Sequence, residues 1–484
     1  MRRGLLFMSA VPAAVLLLAM AQAVPSQAAT THRQAGTEVQ VSSDPFHNTG
    51  AEHATEVEPD TIAAGNDVMS VFQTGRMFGG CSDDIGWAFS SDAGSTWTHG
   101  FLPGTTPSST PPGPFSAVSD PTVAWNGKFK EWVASALDCA SPFGVSVSLS
   151  TNGTTWTNPV VVARGSSFDK EWVTCDSTST SPHFGNCYVE WDLPGNGLLV
   201  DMSTSTDGGH TWSAVAHPSG GGSGIGGEPI VLPNGNVVVP IFGGSGGSSV
   251  TDFLSTNGGA SWSGEHSIAS LDQHGFAGGL RGPMFPGVGE DGAGRIYLTW
   301  PDCRFRSGCS SNDMVLTTST NGTTWTPVVR IPIDAVTSGV DHLGGGIAVD
   351  PSTSGSSAHL GVYYYYYPNA SCTASTCQLD IGYVSSINGG STWSAPVMLA
   401  GPTKLSQIAA TSGGRMVGDY VGAGAVNGGN AFAAMAVGKA STNGQRYNEA
   451  MNDVSGGQPI VGGKRPASAA GAHTFSAHVP HIVR

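Results

Sequence analysis

Ser205-Thr206-Asp207-Gly208-Gly209-His210-Thr211-Trp212 is the clearest copy of a stretch that occurs six times along this 484-residue chain. Other full-length copies occupy residues 90–97, 255–262 and 386–393, and copies one residue shorter occupy 150–156 and 319–325. Their tryptophans stand 59, 56, 50, 63 and 68 residues apart, a repeat long enough to hold several strands. Each copy lies between two β-like runs. Within it an Asp or Asn side chain can accept hydrogen bonds from its own turn, and the glycines allow positive φ. The tryptophan is left to pack in the seam between neighbouring units. These residues build a turn, not a catalytic centre.

The S-x-D-x-G-x-T-W pattern resembles the Asp-box of the sialidase-like (BNR repeat) β-propellers, directly over residues 58–394 and by extension over most of the mature chain. The resemblance implies an all-β fold: a single β-propeller of four-stranded blades, with an Asp-box between the third and fourth strands. It does not by itself imply an enzyme, because one fold hosts many functions.

A second signature sets the number of blades. An acidic residue, often followed by proline, opens an apolar run at Glu58-Pro59-Asp60, Asp120-Pro121, Asp169-Lys170-Glu171-Trp172 and Glu228-Pro229. More divergent starts are Arg281-Gly282-Pro283, Asp341-His342-Leu343 and Gly418-Asp419-Tyr420. Read as the first strand of each blade, these favour seven blades, with six as the alternative. The seventh unit has only a degenerate box at 441–447, which falls in a loop between its second and third strands. Its third strand is then 448–454. Its outer strand is supplied by residues 37–42, which closes the ring and leaves no open edge.

Gly is abundant at 69 residues and charge is scarce at 11%, which suits many short strands joined by turns. Residues 1–29 read as a signal peptide, with Arg2 and Arg3 ahead of an apolar stretch, so the protein is expected to be secreted. Residues 37–454 are expected to form the propeller, with 30–36 and 455–484 disordered. Eight cysteines in an exported chain suggest four disulfides. Pairing by proximity joins Cys303 to Cys309, Cys372 to Cys377 and Cys175 to Cys187, leaving Cys81 for Cys139. A net charge of −15 argues against nucleic acid or an anionic membrane as partner. An extracellular glycan or glycoconjugate is the expected partner, with no membrane insertion and a monomeric state. No cofactor is required. The acidic crowding would suit Ca²⁺, and the scattered histidines supply no metal set.

Antiparallel succession puts the boxes on one face and the first-strand heads, with the loops between second and third strands, on the other. Long crosslinked loops on a rigid scaffold are where function is grafted. The candidate catalytic residues there are Tyr420, Glu228, Asp60 and Asp120. Crowded carboxylates separate in pKa and can serve as acid and base in glycosidic cleavage. The resemblance implies a Tyr–Glu nucleophile pair, matched by Tyr420 and Glu228, with Asp60 or Asp120 as the acid. Candidate substrate contacts are Arg281, Arg76, Arg304, Arg306, His342 and Trp191. The resemblance also implies three arginines around a substrate carboxylate and an early F/Y-R-I-P motif. Here the early strand carries no arginine, Arg330-Ile331-Pro332 follows a box, and only Arg281 sits at a strand head. The function expected is that of a secreted sialidase-like glycoside hydrolase acting on terminal sugars. The alternatives are a non-catalytic propeller that binds glycan or protein, and a polysaccharide lyase using Tyr420 or His342 as base.

Overall fold

The computed structural model describes Met1 and residues 36–468, apart from 141, 142, 245, 246 and 443. The expected signal peptide and residues 469–484 lie outside the described residues. The chain divides into two units, Met1–His32 and Arg33–Arg484, and every strand belongs to the second. Among the described residues there is no α-helix; short 3₁₀ turns interrupt an otherwise all-β chain.

Strand pairing falls into successive antiparallel groups. The first runs Glu52–Ala64, Asp67–Arg76, Ser82–Ser90, Thr98–Phe101. The second runs Val118–Asn126, Glu131–Asp138, Phe143–Ser150, Val160–Gly165. The third contains Asp169–Cys175, Cys187–Leu193 and Leu199–Ser205, with Ala216 bridged to Met202 outside them. The fourth is built on Ile230–Val231, Val237–Gly243, Ser249–Ser255 and His266–Ser270. The fifth comprises Gly287–Glu290, Ile296–Asp302, Asp313–Ser319 and Val329–Arg330. The sixth comprises Ile347–Val349, Leu360–Tyr367, Gln378–Ser386 and Val397–Lys404. A last group joins Met435–Gly438 to Glu449–Val454, whose free edge is filled by Glu38–Gln40. Strand Val237–Gly243, wholly buried, shows why these segments pair: its β-branched and aromatic side chains are hidden on both faces.

The tryptophan-bearing turns hold themselves together. Ser205 Oγ donates to Asp207 Oδ1 (2.8 Å) and accepts from Gly209 N (2.8 Å), while Asp207 accepts from Thr211 N (2.9 Å) and Thr211 Oγ1 (2.6 Å). The equivalent bonds from the Thr96 backbone and hydroxyl hold the Asp92 carboxyl down at about 2. Asn152, Asn257, Asn321 and Asn388 accept the same backbone donors. The polar groups of the turns are thus consumed locally.

The turns also join one group to the one before it. Gly153 lies on the Phe89 ring, Gly208 on Phe129, Gly258 on His183 and Gly322 on Val238. In the same way Gly94, from the first group, lies on Phe432 next to the last. A methyl group on Gly94, at φ +74, would sit 2.3 Å from the Phe432 ring, whereas one on Gly65, at φ +65, would meet nothing within 4 Å. Gly65→Ala therefore costs only the left-handed backbone, roughly 1–2 kcal/mol, and Gly94→Ala adds overpacking of roughly 1–3 kcal/mol. Urea midpoints should separate the two variants; equal losses would mean that the Phe432 contact is dispensable.

The expected four disulfides all form: Cys81–Cys139, Cys175–Cys187, Cys303–Cys309 and Cys372–Cys377. One expectation needs correction. Residues 455–468 are not a disordered tail, because they are held strand-like against earlier groups. Gln458 bridges Ala431, Arg465–Pro466 pairs with Thr392–Trp393, and Ser468 bridges Arg330. A segment without hydrophobic alternation is ordered here through its backbone groups, which complete hydrogen bonds that the edge strands leave open.

Candidate functional site

Three first strands carry the same local distortion. Glu58, Asp120 and Lys170 adopt left-handed φ values of 54°, 48° and 52°. Each lies inside a register shift, between Val57 and Asp60, between Ser119 and Thr122, and between Asp169 and Trp172. A bulge re-aims one side chain, and a left-handed L-residue costs roughly 1–2 kcal/mol. Such strain persists only where the surroundings over-determine it, and it collects at functional sites.

The re-aimed side chains meet. Lys170 Nζ donates to Glu58 Oε1 (3.0 Å) and Asp120 Oδ1 (2.8 Å) and lies 2.9 Å from Asp419 Oδ2. Gln73 Nε2 donates to Glu58 Oε2, to Ser119 Oγ (2.9 Å) and more weakly to Asp120 Oδ1 (3.4 Å). Arg76 donates to Gln73 Oε1 and Gly80 O, and Arg281 Nη2 pairs with Asp419. Lys170 is only 4% exposed and Arg281 17% by side chain, so Arg281 marks the solvent side. The ammonium of Lys170 thus pairs with three carboxylates, those of Glu58, Asp120 and Asp419.

This arrangement splits the two neighbouring carboxyls. Burial, and then the Asp120 charge, push Glu58 well above the usual carboxylate range, and Lys170 offsets only part of it. Burial opposes ionisation of Asp120 too, but Lys170 and the hydrogen bond from Glu58 outweigh it and hold Asp120 well below its ordinary value. Asp419 is likewise lowered, with Arg281 and Lys170 overcoming burial. Lys170 is held well above its usual value because Asp120, Asp419 and Glu58 outweigh its burial. The opposite shifts make Glu58 the carboxyl that holds its proton more readily and Asp120 the one that gives it up.

Among the other sequence candidates, Asp60, pushed to about 7 by burial, accepts from Val123 N (2.8 Å), and Glu228 accepts from Val288 N (3.2 Å). Burial and then the Asp60 charge push Glu228 well up. Tyr420 is buried against Trp172, with ring centroids 5.1 Å apart, and its hydroxyl donates to Pro121 O (2.9 Å). Burial and then Glu58 and Asp120 drive its pKa well up, the wrong direction for a tyrosinate nucleophile. Tyr420 thus borders the Lys170 cluster, and its hydroxyl is spent on Pro121, not on Glu228.

Arg76 and Arg281 both belong to the cluster, but Arg304 and Arg306 do not join it. Arg304 pairs with Asp302 (2.7 Å), two residues away, and fully buried Arg306 pairs with Asp313 and, at 2.8 Å, with Asp334. Trp191 is fully buried and packs on Phe168, so it is core and not a sugar platform. His342 is buried with Nδ1 3.0 Å from Asn312 O. It shares a group with Asp313 and Asp334 whose nitrogen and oxygen atoms lie within 4.8 Å of one another. Arg306 and Arg330 already neutralise both of those carboxylates, which opposes a divalent cation there. Gln73 was not singled out in the sequence; a lone glutamine in an apolar strand carries no signal of its own.

No protein-family model matches the sequence, and no curated protein sequence matches it. Among solved structures, an ulvan lyase of polysaccharide lyase family PL25 aligns with a TM-score of 0.49 at 9% identity, covering 90% of this chain and 98% of that one. A protein of unknown function from Dyadobacter fermentans aligns at 0.45 and 14% identity, covering 74% and 99%. A Hadza microbial sialidase aligns at 0.42 and 13%, covering 84% and 66%. At these values the likenesses speak to neither activity nor substrate.

Proposed function

We propose that this protein is a secreted glycan-processing β-propeller, a sialidase-like glycoside hydrolase that removes terminal sugars. In this reading the strand groups are seven blades, the tryptophan turns are Asp-boxes, and Glu38–Gln40 closes the ring as the outer strand of the last blade. Four disulfides support an extracellular setting. The observation that carries the chemistry is the pair Glu58 and Asp120, both on strained bulges, both held by Lys170, and driven apart in pKa.

Glu58 is the proton donor to the departing glycosidic oxygen. Asp120, kept ionised by Lys170, stabilises or traps the cationic sugar. Joined by a hydrogen bond and by one shared nitrogen, the two carboxyls stand closer than the roughly 5–5.5 Å of a retaining pair or the roughly 6.5–9.5 Å of an inverting one, so in this reading the bound sugar parts them. Arg281 faces the substrate from the solvent side. A sialic-acid clamp would need a third arginine besides Arg76 and Arg281, and Arg304 and Arg306 are committed elsewhere. For the lyase alternative, the Tyr420 hydroxyl is spent on Pro121, whereas His342 donates from Nδ1 to Asn312 O and leaves Nε2 without a hydrogen-bond partner among the described residues, buried away from the Lys170 cluster.

A panel of fluorogenic glycosides, sialosides included, tests this. At least one should be turned over, with kcat/KM falling roughly 10²–10⁴-fold in Glu58→Gln. Unchanged turnover in that variant sinks the assignment. A second reading, a non-catalytic binding propeller, is favoured by the 4% exposure of Lys170, and it stands if the wild type turns over nothing.

A further inference from the structure

Phe78 is 65% exposed at the tip of the turn joining the second and third strands of the first group. A single exposed aromatic needs no explanation. This one is unusual in how firmly its turn is fixed. Met77 N donates to Cys81 O (2.7 Å), Gly80 N to Met77 O (3.1 Å), and Ser412 N to Phe78 O (2.7 Å). Cys81 is bonded to Cys139, and Gly80 O accepts from Arg76, which belongs to the Lys170 cluster. The ring is therefore presented to solvent at a fixed place.

The Ser412–Gly413 segment that holds the Phe78 turn also borders the open side of Arg281. Its Nη2 is taken by Asp419, but Nε and Nη1 have no hydrogen-bond partner among the described residues. Gly80 and Gly413 flank the guanidinium. A methyl group on Gly80 would lie 4.0 Å from Nη1, and one on Gly413 would lie 3.2 Å from Arg281 Cδ. An exposed aromatic ring and partly desolvated N–H donors carried on adjoining segments match a sugar ring, which offers apolar C–H groups on one face and hydroxyls at its edge.

We infer that Phe78 and the open side of Arg281 form a rim subsite for one pyranose ring, stacked on Phe78 with its hydroxyls accepting from Nε and Nη1. This rests on the glycan-processing reading and extends it outward from the cluster. Because the platform is prefixed, binding loses little to loop ordering.

Saturation-transfer NMR with lactose, 3′-sialyllactose, cellohexaose and trigalacturonate tests the subsite without requiring turnover. At least one probe should receive saturation on the C–H protons of a single residue. Phe78→Ala should weaken that probe roughly tenfold, whereas Phe78→Trp should retain it. Thermal midpoints of both variants should match the wild type, since the ring is exposed. Binding unchanged in Phe78→Ala, or no binding of any probe by the wild type, overturns the subsite. Binding that depends on Phe78 but without turnover of any glycoside overturns the catalytic reading and keeps the subsite. Turnover with the same KM in Phe78→Ala does the reverse.

Discussion

Replacing Lys170 with methionine is expected to destabilise the fold by about 3–5 kcal/mol, the usual cost of removing one partner from a buried charge cluster. The ammonium is the shared donor for Glu58 and Asp120 and lies 2.9 Å from Asp419. Without it, Asp120 and Asp419 must either stay charged in a buried site or take up protons. Arg281 would still serve Asp419, so Asp120 bears most of the loss. Denaturant midpoints at pH 7 measure the effect. Adding Asp120→Asn to Lys170→Met should recover much of it, because the unpaired charge is then gone. A loss below about 1 kcal/mol would mean that the cluster is solvated and the ion pairs count for little. Owning such a cluster is weak evidence for stability, since well-packed apolar residues often do as well. Its strained placement is better explained by chemistry than by folding.

Thermal stability should be highest in mildly acidic solution and fall as the pH rises to about 8. Burial holds Glu56, Glu290 and Asp453 at about 8, and Asp60 and Asp84 at about 7. Each folded-state pKa is raised above its unfolded value of about 4. Between the two values the folded protein holds protons that the unfolded chain has lost. The stability each group contributes is therefore fully present below about pH 4 and is lost as pH rises through the folded pKa, at up to about 1.4 kcal/mol per pH unit. Asp120 and Asp419 act oppositely, because their lowered values contribute stability above about pH 4 that is lost only in stronger acid. The maximum thus falls near pH 4–5, and the melting temperature should drop by roughly 10 °C or more by pH 8.5. High salt would screen the repulsion of a −15 chain but not the cost of burial, so the drop should survive it. Glu190→Gln is the local check. Glu190 is fully buried, neither carboxyl oxygen has a hydrogen-bond partner among the described residues, and burial pushes it well up. The variant should gain stability at pH 8.5 and little at pH 4.5. A melting temperature that is flat or rising with pH would overturn this reading of the buried carboxyls.

Much of the fold could be read directly from the chain, because the deciding interactions are short. Every hydrogen bond that shapes the 205–212 turn lies within that stretch. The same holds for the loops closed by Cys303–Cys309 and Cys372–Cys377, with sequence separations of 6 and 5. The edge strand supplied by residues 38–40 was legible as well, since an unfilled third strand needs a partner. The site was legible only as a set of residue types. Lys170 reaches Glu58 across 112 residues and Tyr420 reaches Pro121 across 299, and which of these meet is set by bulges that shift a strand by one position. One such step sends a side chain to the opposite face. Arg304 and Arg306, in the loop closed by Cys303–Cys309, end on nearby aspartates and Trp191 lies in the core, although loop position marked all three for the mouth. The sequence by itself determined the repeating turn and the all-β chain, through contacts a few residues apart. Only the tertiary structure decided that a lysine, held at a left-handed bulge, would sit among the carboxylates and set which of them keeps its proton.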